Sequence, residues 1–168
     1  MTILSKLTLV CAALALTACS NATGWKGDDA VDLNKPGIDA GSAGDPNSPA
    51  YFQQAIGDRV LFAVDQSTLS TEAQTILQGQ ADWLIANTDY VATIEGHADE
   101  QGTREYNLAL GARRANAARE FLVSRGVAGN RLKTISYGKE RPIEICSDES
   151  CYARNRRAVT VLAAGLTG

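Results

Sequence analysis

The chain has 168 residues, a hydrophobic share of 45% and a formal net charge of -3, which leaves room for one domain plus accessory segments. No basic excess is present to hold nucleic acid in bulk, and arginine greatly outnumbers lysine after residue 50, which suits directional contacts to carboxylates.

Lys6 is followed by the apolar run LTLVCAALALTA, too short to span a bilayer comfortably and ending in small residues, so residues 1–18 read as a secretory signal. Its end, Leu16-Thr17-Ala18-Cys19, matches the lipobox of bacterial lipoproteins. That match implies cleavage before Cys19 and lipid on its sulfur, and Ser20 after it implies export to the outer membrane. More than one acyl chain makes such an anchor durable, at about 0.8 kcal/mol per buried methylene. Cys11 leaves with the signal and Cys19 takes lipid. Cys146 and Cys151 are then expected to pair in an oxidising compartment, stabilising a short local loop by about 2 kcal/mol.

Residues 19–50 are rich in Gly, Ala, Asp, Asn, Ser and Pro and carry five aspartates against two lysines. They read as a flexible leash that extends at most to roughly 100 Å. Trp25 within it is either an interfacial or partner-binding aromatic or a singly exposed one.

A domain is expected over 51–168. Val60, Phe62 and Val64 alternate as one face of a first strand, and Ser70 opens a helix carrying Ala73, Ile76, Leu77, Ala81 and Leu84 at near-helical spacing. Tyr90 to Gly96 predicts a second strand, Thr103 to about Arg125 a second helix stopped by Gly126, Leu132 to Tyr137 a third strand, 149–155 a short helix and Ala158 to Ala163 a fourth strand. Strands alternating with helices of this length imply crossovers, hence a small sheet with helices on one face.

The run GHADEQGTREYNLALGARRA, Gly96 to Ala115, fixes Asp99 at the end of a strand and Arg114 on the following helix, around a turn that Gly102 permits. Arg114 lies about 16 Å along its helix, so the 98–105 loop must fold back for the two charges to share a ligand. Asn107 and Arg114 lie nearly on one helical face, and Asn107 braces either the turn or the ligand. Arg113 points about 100° away and reads as a solvated or structural charge.

This run, with SYGKERP (Ser136 to Pro142) and NRRA (Asn155 to Ala158), closely resembles the signature of the OmpA-like peptidoglycan-binding domain family, in particular its lipid-anchored members. The resemblance covers roughly Val60 to Leu162. It implies an α+β sandwich, a mixed four-stranded sheet with helices packed on one face. It also implies a site for meso-diaminopimelate in peptidoglycan stems, Asp99 holding the ammonium and Arg114 the carboxylate. The Arg fork engages a carboxylate through two parallel charged hydrogen bonds. Phe62 and Asp65 resemble the loop flanking the ligand, although Asp65 equally suits a cap near Ser70. Arg157 either lines the same groove or pairs with a sheet carboxylate. Position 101 is Gln where such members often carry Arg. Partners implied are peptidoglycan and the Tol envelope machinery, TolB included, with a role in constriction during division. Action mainly through protein partners is the alternative.

His97 is the one histidine, and two paired thiols leave no nucleophile and no set of metal ligands. No enzyme, metal or cofactor is expected. His97 is expected to face a partner or make a hydrogen bond.

Overall fold

The computed structural model describes residues 41–165. The leader, Cys19 and Trp25 therefore lie outside the described residues. Among the described residues no helix is long and apolar enough to cross a membrane.

Residues 41–50, inside the segment expected to be a leash, lie against the domain. The Ser48 hydroxyl caps a helical turn, α1 (Pro49–Tyr51), which runs on as a π-helical segment, Phe52–Gly57. Phe52 is fully buried, with its ring 5.0 Å from Trp83, and the Trp83 indole donates to the Pro46 carbonyl at 2.7 Å. An indole N–H buried without a partner would be costly, so Pro46 fixes the chain's entry to the domain.

Strand β1 (Arg59–Leu61) is followed by helix α2 (Thr71–Ala86), whose N-terminal amide at Ala73 is capped by the Ser70 hydroxyl. Strand β2 (Tyr90–His97) leads to α3 (Arg104–Ser124), opened by Thr103. Helix α3 closes with paired bonds from Gly126 N to Val123 O and Val127 N to Leu122 O. Gly126 there has φ +103°, the left-handed conformation that only glycine adopts freely. Strand β3 (Leu132–Gly138), α4 (Glu149–Asn155) and β4 (Arg157–Ala164) complete the chain.

The sheet order is β1-β4-β2-β3, with β4 antiparallel to both neighbours and β2 parallel to β3. This is the expected α+β architecture. Val60, Ala92, Ile94, Leu132 and Ala158 meet Ala73, Leu77, Ala81 and Leu84 of α2 and Ala115, Ala118 and Leu122 of α3 in one core. Burying each leucine there contributes about 2 kcal/mol.

One expectation fails at β1, which does not continue to Val64. Phe62 is buried and its N–H still donates to Arg156 O at 2.9 Å, but Gln66 N turns back to Ala63 O and Val64 is 54% exposed. Asp65 follows with φ +56°, a conformation that ends any strand. Alternating apolar residues imitated two further strand positions in a loop.

Candidate functional site

Two loops meet beside the start of α3. The first, 98–103, leaves β2 with Ala98 N still donating to Gly138 O at 2.8 Å, so it stays docked past the strand end. Asp99 then turns the chain by accepting from Gln101 N at 3.2 Å. Gly102 takes φ +89°. Asn107, buried on α3, donates from Nδ2 to Gln101 O at 2.7 Å, and Lys139 Nζ donates to the carbonyls of Glu100 and Gly102. Asn107 thus braces the turn, one of the two roles open to it.

The second loop, 62–70, is pinned by Arg114. This guanidinium is fully buried and donates from Nε to Gln66 O (2.8 Å), from Nη1 to His97 O (2.9 Å) and from Nη2 to Ala63 O (3.2 Å). Its carbon lies 5.3 Å from the Phe62 ring centroid, a cation–π arrangement. Burial pulls its pKa down to about 10, the charge of Asp99 opposing this and that of Arg156 adding to it. Arg114 therefore stays charged at neutral pH. Asn107 ties the 98–103 loop to the start of α3, while Arg114 grips the carbonyl of His97, the last residue of β2 and two before Asp99.

Asp99, Asp65 and Asn107 line one pocket of about 260 Å³ with Val64, Gln101, Gly102, Tyr106 and Leu110. The Tyr106 hydroxyl donates to the Asp65 carboxylate across its mouth. Asp65 does not cap α2, since Ser70 fills that place. Phe62 and Arg114 stand behind the lining rather than in it. Arg113 is exposed over the Tyr106 ring.

Arg157 is placed elsewhere. It is buried, donates to the carbonyls of Asn155 (3.2 Å) and Arg141 (3.1 Å), and makes no ion pair among the described residues. The arginine that reaches Asp99 is its neighbour Arg156: Nη1 donates to Asp99 Oδ2 at 3.1 Å, Nε to Phe62 O at 3.2 Å, and Nη2 to Glu149. Adjacent residues entering a strand face opposite ways, so the two arginines cannot share a role. The signal for Arg156 was the onset of β4, whose exact residue decides the parity and is the least legible feature of a sequence.

His97 also departs from expectation. It is 1% exposed, faces the side of the sheet away from α3, and stacks on Tyr137 at 5.5 Å. Neither ring nitrogen has a hydrogen-bond partner among the described residues. Burial, then the charges of Arg157 and Arg141, lower its pKa to about 4, so it is neutral at pH 7 and its 3.7 Å approach to Glu95 is not an ion pair. Strand alternation from Ile94 and Gly96, which face the helices, put it there.

A disulfide joins Cys146 and Cys151, Cα atoms 5.9 Å apart, at the start of α4. A larger groove of about 340 Å³ runs beside β1 and α2, lined by Arg59, Leu61, Ser70, Glu72, Ala73, Ile76, Ile143 and Arg154. Its two arginines are held by Asp58 and Glu144.

The sequence pattern of the OmpA family matches residues 61–156. The chain is 53% identical over 152 residues to a peptidoglycan-associated lipoprotein of Mesorhizobium japonicum, covering 90% of this chain and 88% of that one. It is 54% identical over 149 residues to that of Rhizobium meliloti, covering 89% and 82%. The crystal structure of the peptidoglycan-associated lipoprotein from Burkholderia pseudomallei superposes with a TM-score of 0.64 at 38% identity, covering 72% of this chain and 98% of that one. The chain therefore belongs to the OmpA family, among its peptidoglycan-associated lipoproteins.

Proposed function

We propose that this chain is an outer-membrane lipoprotein, anchored through Cys19 and reaching into the periplasm by the residues between Cys19 and the docked 41–50 segment, whose domain binds peptidoglycan non-covalently. It is a binding protein and not an enzyme. Its ligand is the free end of meso-diaminopimelate, where an ammonium and a carboxylate share one carbon. The pocket between loops 62–70 and 98–103 carries this reading, because it places the carboxylates of Asp65 and Asp99 together, one for the ammonium and one at the mouth. Arg114, fully buried behind the lining, holds loop 62–70 and the end of β2 through three carbonyls, and its positive charge behind the pocket favours the ligand carboxylate. Single contacts suffice, since many tethered copies facing a repeating polymer gain effective concentration.

By its likeness to proteins named peptidoglycan-associated lipoproteins, the chain joins the Tol-Pal system through TolB and supports outer-membrane constriction at division. Retention on purified sacculi tests the wall reading: Asp99→Ala and Arg114→Ala are expected to lose it, and unchanged retention of both defeats it. A second reading, an adaptor acting through protein partners, is favoured by the Arg114 bonds to loop backbone, which would serve folding alone. Titration with soluble meso-diaminopimelate followed by NMR separates the two, because an adaptor gives no shifts in the pocket.

A further inference from the structure

Asp99 stands on a loop whose next three residues, Glu100 to Gly102, are exposed, yet its carboxylate is held in one place. What holds it comes from the other end of the chain. Arg156 donates to Asp99 Oδ2 and is itself fixed at both remaining corners, by Phe62 O and by Glu149. Tyr152 OH and Ser147 Oγ donate to the Glu100 carboxylate at 3.0 and 3.3 Å. All of these donors, and Glu149, lie in or beside α4.

Helix α4 is only seven residues long, below what stands alone in water. Two devices start it. The Asp148 carboxylate accepts from Ser150 N and Cys151 N, and the disulfide ties Cys146 to the buried Cys151. None of residues 146–155 belongs to the main apolar core. The segment thus touches the acidic loop while contributing nothing to the main apolar core, its other bonds running to Ile143, Glu144 and Arg157.

We propose that the disulfide-stapled α4 segment is the positioning element of the binding loop, with Arg156 and Tyr152 setting where the Asp99 carboxylate meets the ligand ammonium. This rests on the meso-diaminopimelate reading above. A carboxylate fixed before binding loses less conformational freedom on binding, so the gain appears as affinity.

The test is titration of the full-length chain with soluble meso-diaminopimelate, followed by NMR, in three forms: unaltered, Tyr152→Phe, and Cys146→Ala with Cys151→Ala. Tyr152→Phe removes one hydroxyl and leaves the staple, and is expected to weaken binding by about threefold; loss of the staple is expected to weaken it by about tenfold. The amides of Glu100 to Gly102 should shift in both, while the methyl signals of Leu77, Ile94 and Leu122 stay in place. Unchanged affinity in both variants overturns the positioning role and leaves the ligand assignment standing. Weakened binding accompanied by displaced core methyl signals overturns it too, because α4 would then support the fold. No binding by the unaltered chain overturns the ligand assignment, and the positioning role with it.

Discussion

Gly96 of β2 and Gly111 of α3 meet backbone to backbone: a Cβ on Gly111 would lie 2.8 Å from Gly96 O, and one on Gly96 would be driven into the Gly111 carbonyl. This contact lets α3 ride close on the sheet. One turn later Arg114 reaches the carbonyl of His97, the residue after Gly96, and closes the site from behind.

Gly96→Ala should therefore act on both stability and binding. The obstacle is backbone on each side and cannot rotate away, so a loss of about 2–3 kcal/mol in urea unfolding is expected. In the fraction that remains folded, displacement of α3 should weaken capture of meso-diaminopimelate. A variant as stable as the parent would show that the two elements separate freely.

His97 gives the domain a pH dependence of definite sign. Its folded pKa, about 4, lies below its ordinary 6.5, so between these values the unfolded chain binds more protons than the folded one. Stability must then fall as pH falls from about 6.5 to about 4, by up to about 3 kcal/mol, and this contribution is fully present above 6.5. His97→Phe keeps a ring beside Tyr137 and removes the titration. Unfolding curves of the two proteins at pH 7 and pH 4.5 should diverge at the lower value, with the parent losing more.

Asp65 combines a left-handed backbone, φ +56°, with a charge at the pocket mouth. Asn tolerates that conformation nearly as well as Asp, so Asp65→Asn should change unfolding by less than about 0.5 kcal/mol while weakening ligand binding about tenfold. Asp65→Ala should add a backbone cost of about 1 kcal/mol. Calorimetric titration beside denaturant melts distinguishes charge from conformation.

The helices were legible because their starts carry hydroxyl caps at Ser70 and Thr103 and one stop carries Gly126, signals that act within a few residues. Sheet order was not, since strands Arg59–Leu61 and Arg157–Ala164 pair across nearly the whole domain and only the family resemblance implied a mixed sheet. At the site, Asp99 and Asn107 were visible in one local motif, whereas Asp65 came only from the family resemblance. The Arg156 role was hidden because parity at the mouth of β4 depends on a single residue of register, and Arg157 looked equally suitable. Val64 and His97 misled for related reasons: alternation continued beyond the strand in one, and the buried far face of the sheet received the other.

Arg131, like Arg114, spends its donors on backbone carbonyls, and comparing the two isolates binding from folding. Arg131 donates to Tyr90 O and Leu84 O at 2.9 Å each and to Asn87 O at 2.8 Å, tying the α2–β2 connection to the turn before β3. It lies outside the pocket lining. Arg131→Met and Arg114→Met each strand three carbonyls and should each destabilise by about 2–4 kcal/mol. Below the unfolding transition, Arg131→Met should bind meso-diaminopimelate like the parent, because its lost bonds position nothing at the site. Arg114→Met should lose binding by far more than its stability loss accounts for, since the same guanidinium pins loop 62–70 to the end of β2 and places a positive charge behind the pocket. Equal affinities for the two variants, measured on folded protein, would mean that Arg114 serves only the fold.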